Sequence, residues 1–228
     1  MNKMLWNGLP VIIFGSGGIS KEIYSLIKYI NSYNTSPIYN FLGFVGNTID
    51  EIGKEVIDSY KIVSCDDNIL DFTQSYSTIG IVIPIGNPNI KSSIFNKVNS
   101  IPNVVFPNII HPTIKFDKDN VLIGMGNILT AGVNLTCDIE IGDFNLVNLN
   151  STIGHDTKIG NFNVINPLVA ISGNVLIGNK CLIGTGAKVL QGLNVDDNVI
   201  VGAGSVVVKD VESATTVVGV PAKPLMRK

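Results

Sequence analysis

The spacing of hydrophobic residues changes near residue 107, and this change divides the chain into two parts. In residues 1–107, short β-branched or aromatic runs alternate with stretches whose apolar residues recur at helical spacing. From Ile123 onward every sixth residue is aliphatic. Pro102, Pro107 and Pro112 punctuate the transition. We therefore expect two domains, residues 1–107 and 108–228.

The first part predicts a Rossmann-like α/β domain. Its strand candidates are residues 11–15, 41–45 and 79–85, and its helix candidates are residues 21–30 and 90–98. This alternation favours a parallel sheet of βαβ units, in which ligands bind at the carboxyl ends of the strands. The candidate nucleotide-binding residues at those ends are Gly15, Gly17, Gly18 and Ile19, then Gly46 and Asn47, then Gly86.

The glycine-rich turn after the first strand departs from a dinucleotide fingerprint. Ser20 stands where the third glycine of that fingerprint belongs. The second strand runs into Gly46 and Asn47 without the acidic residue that binds a ribose 2′-hydroxyl, which argues against NAD. Two interpretations stay open: a nucleotide held by N–H groups at the helix start, or a structural tight turn.

The second part predicts an all-β domain, a parallel β-helix built from hexapeptide repeats. The residue after each aliphatic position is often Gly and otherwise mostly Thr, Asn, Ser or Asp, as corners between short strands require. With three hexads to a coil, residues 18 apart stack at about 4.8 Å. This spacing predicts two asparagine columns, one of Asn127, Asn145 and Asn163 and one of Asn148 and Asn166.

One column carries candidate chemistry: His155, Gly173, Gln191 and Lys209. Imidazole is a suitable base at neutral pH for an amine or hydroxyl that attacks a thioester carbonyl. Gly173 is expected to leave an opening, so that its accessible N–H binds the oxyanion. We expect Asp156 to orient the ring, and Gln191 and Lys209 to follow the long thioester carrier.

Composition and charge narrow the class of protein. A hydrophobic content of 45% with 15% charged residues indicates a packed globular chain. A net charge of −2 without a basic run argues against nucleic-acid binding. No apolar stretch approaches the roughly 20 residues of a membrane span, so we expect no membrane insertion and a cytoplasmic location.

The remaining reactive side chains predict no metal site. Cys65, Cys137 and Cys181 are widely spaced, and buried thiols are the favoured interpretation. The zinc site of β-helical carbonic anhydrases needs three histidines, and this chain has two. His111, next to Pro112, is expected to be structural.

Taken as a set, these motifs resemble a known family. The Gly-rich first domain, the Ile110-His111-Pro112 junction, the Gly154-His155-Asp156 hexad and the Gly-Val-Pro-Ala-Lys-Pro tail at residues 219–224 are similar to bacterial sugar acyltransferases. These enzymes N-acetylate nucleotide-linked 4-amino sugars of the bacillosamine, perosamine and viosamine types. The resemblance implies a left-handed β-helix, acetyl-CoA as co-substrate, a nucleotide-linked amino sugar as substrate, and a homotrimer with active sites between subunits.

The resemblance also implies roles for individual residues. They are His155 as general base with Asp156 as its partner, the Gly173 amide facing the acetyl carbonyl, Thr185 and Gln191 contacting CoA, and Gly17, Gly18 and Ile19 near the nucleotide. This chain departs from the family at Ile19, where His is common, and at Gly46-Asn47, where an Asp pair is common. The choice among UDP, dTDP and GDP therefore stays open.

Two other functions remain as alternatives. The sialic acid O-acetyltransferases share this layout and use the same base on a hydroxyl. A non-catalytic trimeric scaffold whose first domain binds nucleotide is the alternative from a different class.

Overall fold

The computed structural model describes residues 7–225, which fall into two compact units. One unit comprises the described residues through Ile85 together with Lys91–Ile109. The other comprises Gly86–Ile90 together with the described residues from Ile110 onward.

The first unit contains the predicted α/β sheet. Its described residues form six strands in the order β3-β4-β2-β1-β5-β6, and every pair is parallel except β3 with β4. The strands are β1 (Leu9–Phe14), β2 (Tyr39–Gly46), β3 (Glu55–Ile57), β4 (Tyr60–Cys65), β5 (Ile79–Val82) and β6 (Val104–Val105). The helices are α1 (Gly18–Tyr33), α2 (Ile69–Gln74) and α3 (Pro88–Val98), with a 3-10 turn at Ile49–Glu51.

Burial explains why β1 is apolar without alternation. Val11, Ile12 and Ile13 are fully buried, as expected for a central parallel strand covered on both faces. α1 contributes one apolar stripe, with Ile23 and Ile27 among its buried residues.

The sequence pattern did not predict β3 and β4. The turn that connects them places Asp58 and Ser59 at φ 49° and 67°, and it does not use the Asn-Gly or Asp-Gly pair typical of such turns.

A lysine buried in α3 gives the stability of the protein a pH dependence. Lys91 is 1% exposed, and burial lowers the pKa of its amine from 10.5 to about 7. Between those two pH values the unfolded chain holds a proton that the folded chain has released. The free energy of unfolding should therefore rise with pH in this window, by at most about 1.4 kcal/mol per pH unit from this group, and stay level below it.

Denaturant unfolding at several pH values between 7 and 9 measures this slope. Lys91→Met should flatten it, whereas Lys54→Met, which changes an exposed lysine, should leave it unchanged. An equal slope in the Lys91→Met variant and the parent protein would show that Lys91 is not the group responsible.

The second unit is a left-handed parallel β-helix of hexapeptide repeats. Between Val121 and Val207 the strands pair in parallel coil on coil, and the partners are 18 residues apart, as in Thr152 with Ala170 and Lys158 with Leu176. The predicted three-hexad coil is confirmed. Its short strands run from β7 (Ile109–Ile110) through β8 (Val121–Ile123), β9 (Ile128–Leu129), β10 (Asn134–Leu135), β11 (Ile139–Ile141), β12 (Leu146–Val147), β13 (Thr152–Ile153), β14 (Lys158–Ile159), β15 (Val164–Ile165), β16 (Ala170–Ile171), β17 (Leu176–Ile177), β18 (Leu182–Ile183), β19 (Lys188–Val189), β20 (Asn194–Val195), β21 (Ile200–Val201), β22 (Val206–Val207) and β23 (Thr216–Val218) to the antiparallel β24 (Lys223–Pro224).

The repeated aliphatic residues form the core of this helix. Those from Leu129 to Val207 at six-residue spacing are all buried in one cluster, and Ile123 packs against it. Cys181 is buried in the same cluster. The predicted burial of all three cysteines is wrong for Cys137, which is exposed on a corner.

Side-chain oxygens of Asn and Asp connect successive coils at one corner, which we call the asparagine corner: Asp143, Asn161, Asn179 and Asp197. The N–H of Asp143 donates to Asn161 Oδ1 at 2.6 Å, and the N–H of Asn161 donates to Asn179 Oδ1 at 2.8 Å. The same contact joins the Asn179 N–H to Asp197 Oδ1 at 2.6 Å. Each cap therefore comes from a residue 18 positions later in the chain.

The two predicted asparagine columns have different outcomes. In the first, Asn145 N–H donates to Asn127 Oδ1 at 2.8 Å and Asn163 N–H to Asn145 Oδ1 at 2.9 Å, so this ladder is confirmed. In the second, Asn148 Oδ1 accepts from the N–H of Leu149 at 2.8 Å. No hydrogen bond joins the side chains of Asn148 and Asn166 within residues 7–225.

Candidate active site

His155 lies at the corner that connects β13 to β14. The residues that stack there coil on coil, Cys137, His155, Gly173 and Gln191, are called the histidine corner below. The next residue in each coil adopts a left-handed conformation: Asp138, Asp156 and Asn174 have φ of 54°, 59° and 53°. Asp and Asn tolerate this region better than most residues, so the corner backbone gives a structural reason for an aspartate at 156.

The carboxylate of Asp156 also holds the imidazole of His155. Nδ1–H of His155 donates to Asp156 Oδ2 at 2.6 Å, and the two side chains are 51% and 58% exposed. This hydrogen bond leaves Nε2 of the neutral ring as the atom that accepts a proton. Nε2 has no hydrogen-bond partner among the described residues. The pair thus has the arrangement of a general base with an orienting acid.

Gly173 lies under the ring of His155. A Cβ built on Gly173 would be 2.5 Å from both Cε1 and Nε2 of His155, so any side chain at this position would displace the imidazole. Gly173 is buried in this arrangement. The expectation of an open, accessible Gly173 is wrong: the missing side chain makes room for the histidine of the preceding coil.

The backbone N–H groups of the histidine corner are not capped by the protein. At the asparagine corner the N–H groups of Asp143, Asn161 and Asn179 donate to side-chain oxygens of the next coil. The equivalent groups of His155 and Gly173 donate no hydrogen bond within the described part of the chain. An unpaired donor next to a candidate base is the element that an oxyanion site requires.

The other predicted cofactor-binding residues are distributed over two corners and the end of the helix. Gln191 is exposed on the histidine corner, directly after β19. Thr185 is exposed at the corner that precedes β19, so it does not stack with His155. Lys209 lines a cavity of about 510 Å³ near the C-terminal strands β23 and β24.

In the first unit, the loop between β1 and α1 is open. Gly17 and Gly18 are exposed, and a Cβ on either would meet no atom within 4 Å. α1 begins with Gly17 as a cap that offers no side-chain hydrogen bond, and its first turn has no acidic residue. Ser20, in place of the third glycine, is buried and donates to the Phe14 carbonyl at 3.4 Å. The loop leaves the positive end of a 16-residue helix uncapped beside Ile19.

The end of β2 contains an acidic group that sequence reasoning missed. Glu51, in the 3-10 turn, folds back so that its Oε2 accepts a hydrogen bond from the N–H of Asn47 at 2.6 Å. A Cβ on Gly46 would be 2.5 Å from the same oxygen, so glycine leaves the space that the carboxylate occupies. The expectation that this strand end lacks an acidic residue is therefore wrong. The strand pattern gave no signal for it, because Glu51 lies beyond the strand.

The last predicted loop and the second histidine have separate local structures. Gly86 is exposed with open space around it, and the Asn87 side chain beside it caps the start of α3 by accepting from the N–H groups of Asn89 and Ile90. Nδ1 of His111 lies 2.8 Å from Thr113 Oγ1, and burial lowers the pKa of this histidine. These contacts support the structural interpretation of His111.

The described residues contain neither a metal-binding cluster nor a helix that could span a membrane. No group of three or more His, Cys, Asp or Glu side chains is arranged to hold a metal ion in residues 7–225. None of the helices in this range combines the length and the apolar character that crossing a membrane requires.

Comparison with known families and structures supports the resemblance to bacterial sugar acyltransferases. Residues 10–98 match the sequence family of the PglD N-terminal domain. No curated protein matches the chain.

The chain is similar to solved structures over almost its whole length. PerB from Caulobacter crescentus, in complex with CoA and GDP-perosamine, is 25% identical with a TM-score of 0.84, over 95% of this chain and 97% of that one. The acetyltransferase domain of PglB from Neisseria gonorrhoeae FA1090 is 27% identical with a TM-score of 0.82, over 95% and 99%. A second structure of that domain, in complex with acetyl coenzyme A, has a TM-score of 0.81 at 27% identity, over 96% and 100%. These matches confirm the resemblance to the hexapeptide-repeat acetyltransferases of nucleotide-linked sugars.

Proposed function

We propose that this protein is an N-acetyltransferase that transfers the acetyl group of acetyl-CoA to the amino group of a nucleotide-linked 4-amino-4,6-dideoxy sugar. The observation that carries the proposal is the His155–Asp156 pair at 2.6 Å, with Nε2 directed over Gly173 beside uncapped backbone N–H groups. The whole-chain similarity to structures that contain CoA with GDP-perosamine, or acetyl coenzyme A, supports the choice of both substrates.

The proposed reaction is a direct attack on the thioester. The neutral sugar amine forms a C–N bond to the acetyl carbonyl carbon while Nε2 of His155 takes one amine proton. Asp156 stabilises the imidazolium that results. The tetrahedral intermediate then breaks its C–S bond, and the proton passes from His155 to the leaving thiolate of CoA.

The oxyanion of that intermediate needs a donor, and we assign this role to the N–H of Gly173. Because the His155 ring covers Gly173 in the single chain, the acyl carbonyl must approach beside the ring or displace it. Thr185 and Gln191 flank β19 on its two sides, so a carrier that crosses this strand would reach both. Lys209 follows β22 as Gln191 follows β19, one coil later, because Val189 pairs with Val207.

We also propose a homotrimer with the site between subunits. The imidazole of His155 is half exposed in one chain, and a neighbouring subunit would exclude water from the thioester. Sedimentation should then give three times the 24.4 kDa of one chain. A monomeric mass for the active protein would contradict this part of the proposal.

The experiment that tests the function measures CoA release from acetyl-CoA by chromatography. A thiol reagent is unsuitable, because the exposed Cys137 would also react. The acceptors are 4-amino sugars linked to UDP, dTDP and GDP, with sialic acid as the hydroxyl acceptor. Release with an amino sugar nucleotide, absent with the same sugar already N-acetylated, is the expected result. Release with sialic acid alone would identify an O-acetyltransferase, and no release with any acceptor would favour a scaffold.

A further inference from the structure

We propose that Glu51 binds the ribose of the nucleotide, so that the substrate is a ribonucleoside diphosphate sugar and not a 2′-deoxyribonucleoside one. This inference rests on the proposed function, since it names the nucleotide class at the same site. It concerns a residue outside the predicted nucleotide-binding set.

Glu51 is hydrogen-bonded to the end of the strand that lies beside the glycine-rich loop. β1 and β2 are neighbours, with Phe14 paired to Val45, and the N–H of Gly15 donates to the carbonyl of Val45 at 2.9 Å. The loop that starts at Gly15 and the strand end at Gly46 therefore lie side by side. In sheets of this type, diphosphate lies at the helix start after the first strand, and an acidic residue at the end of the second strand binds the ribose.

The two oxygens of the Glu51 carboxylate have different surroundings. Oε2 is fixed by the N–H of Asn47, while Oε1 accepts no hydrogen bond from any residue in the range 7–225. The side chain is only partly buried, and Asn47 next to it is exposed. One oxygen thus orients the group and the other is available to a ligand.

The chemistry of a carboxylate selects between the two sugars. An ionised carboxylate accepts hydrogen bonds and donates none: Oε1 can accept from one of the adjacent 2′- and 3′-hydroxyls of ribose, and the second lone pair of Oε2 can accept from the other. A 2′-deoxyribose offers only one. A hydrogen bond to a charged group is strong enough that its loss lowers affinity by about tenfold or more.

Calorimetric titration of the full chain with UDP, 2′-deoxy-UDP, GDP and 2′-deoxy-GDP tests this proposal. The wild-type protein should bind each ribonucleotide about tenfold or more tightly than its 2′-deoxy counterpart. Glu51→Gln keeps an oxygen for the Asn47 N–H but removes the charge, and it should bring this ratio close to one. Asp50→Asn is the matched control, because it changes the neighbouring exposed carboxylate, which makes no hydrogen bond in the described structure.

The outcomes separate this proposal from the proposed function. Equal affinity for ribo- and 2′-deoxyribonucleotides, in a protein that still acetylates an amino sugar nucleotide, would overturn the ribose assignment alone. A Glu51→Gln variant that keeps the wild-type ratio, or changes only the preference between UDP and GDP, would overturn it as well. If none of the four nucleotides binds, the ribose assignment fails, and the CoA-release assay with UDP-, dTDP- and GDP-linked acceptors decides the proposed function separately.

Discussion

Replacing His155 with Ala should lower the rate of acetyl transfer by about 10²- to 10⁴-fold, the range expected for the loss of a general base. His155 is exposed at a β-helix corner with its ring over Gly173 and is not part of the buried aliphatic cluster, so its removal leaves that core intact. Steady-state kinetics with a saturating amino sugar nucleotide, together with a thermal unfolding curve, measures both quantities. The thermal midpoint should stay close to that of the parent protein.

Two variants serve as comparisons for this experiment. His111→Asn changes the other histidine, keeps an acceptor near Thr113, and should retain the parent rate. Asp156→Asn preserves a residue that tolerates the left-handed corner and removes only the charge, so its rate should fall between those of the parent and His155→Ala. A His155→Ala protein within a few-fold of the parent rate would exclude this histidine as the base.

Gly173→Ala should inactivate the enzyme while its fold persists. The new methyl group would meet the imidazole at 2.5 Å, and a flexible, exposed side chain can move away from it. A displacement of about 1 Å at a reacting group costs on the order of 100-fold in rate. The matched substitution is Gly154→Ala, one coil earlier on the same corner, where the methyl group would meet the backbone N of Gly173 at 2.6 Å.

Backbone atoms held in a β-helix cannot move aside in this way. Gly154→Ala should therefore lower the free energy of unfolding by about 1–3 kcal/mol, the usual cost of overpacking, whereas Gly173→Ala should cost much less. Denaturant unfolding of both variants checks the difference. Similar destabilisation by the two substitutions, or full activity in Gly173→Ala, would contradict the position of the ring over Gly173.

The β-helix was predictable because one physical requirement repeats along the chain. Every coil must direct an aliphatic residue inward from each strand, and the series from Leu129 to Val207 fulfils this at fixed spacing. β4 was missed because Tyr60–Cys65 is a short run whose turn uses unusual residues. α1 and β1 were found because a long amphipathic helix and a fully apolar central strand have strong periodic signals.

The candidate site was predictable in its column but not in its side-chain directions. Spacing placed Gly173 next to His155, yet only the torsion angles of the histidine decide that its ring fills the space above the glycine. Spacing also gave no account of Glu51, whose carboxylate returns from the turn after β2 to Asn47. Contacts between residues with no shared period depend on tertiary structure, which the pattern of hydrophobic positions does not encode.

The asparagine corner sets an order in which coils can be completed during protein synthesis. The N–H of Asp143 is capped by Asn161, and that of Asn161 by Asn179, in each case a residue translated 18 positions later. A coil that has just left the ribosome therefore has an uncapped amide until the next coil is made. A chain that stops early would end in a coil whose corner amide must bind water or another molecule.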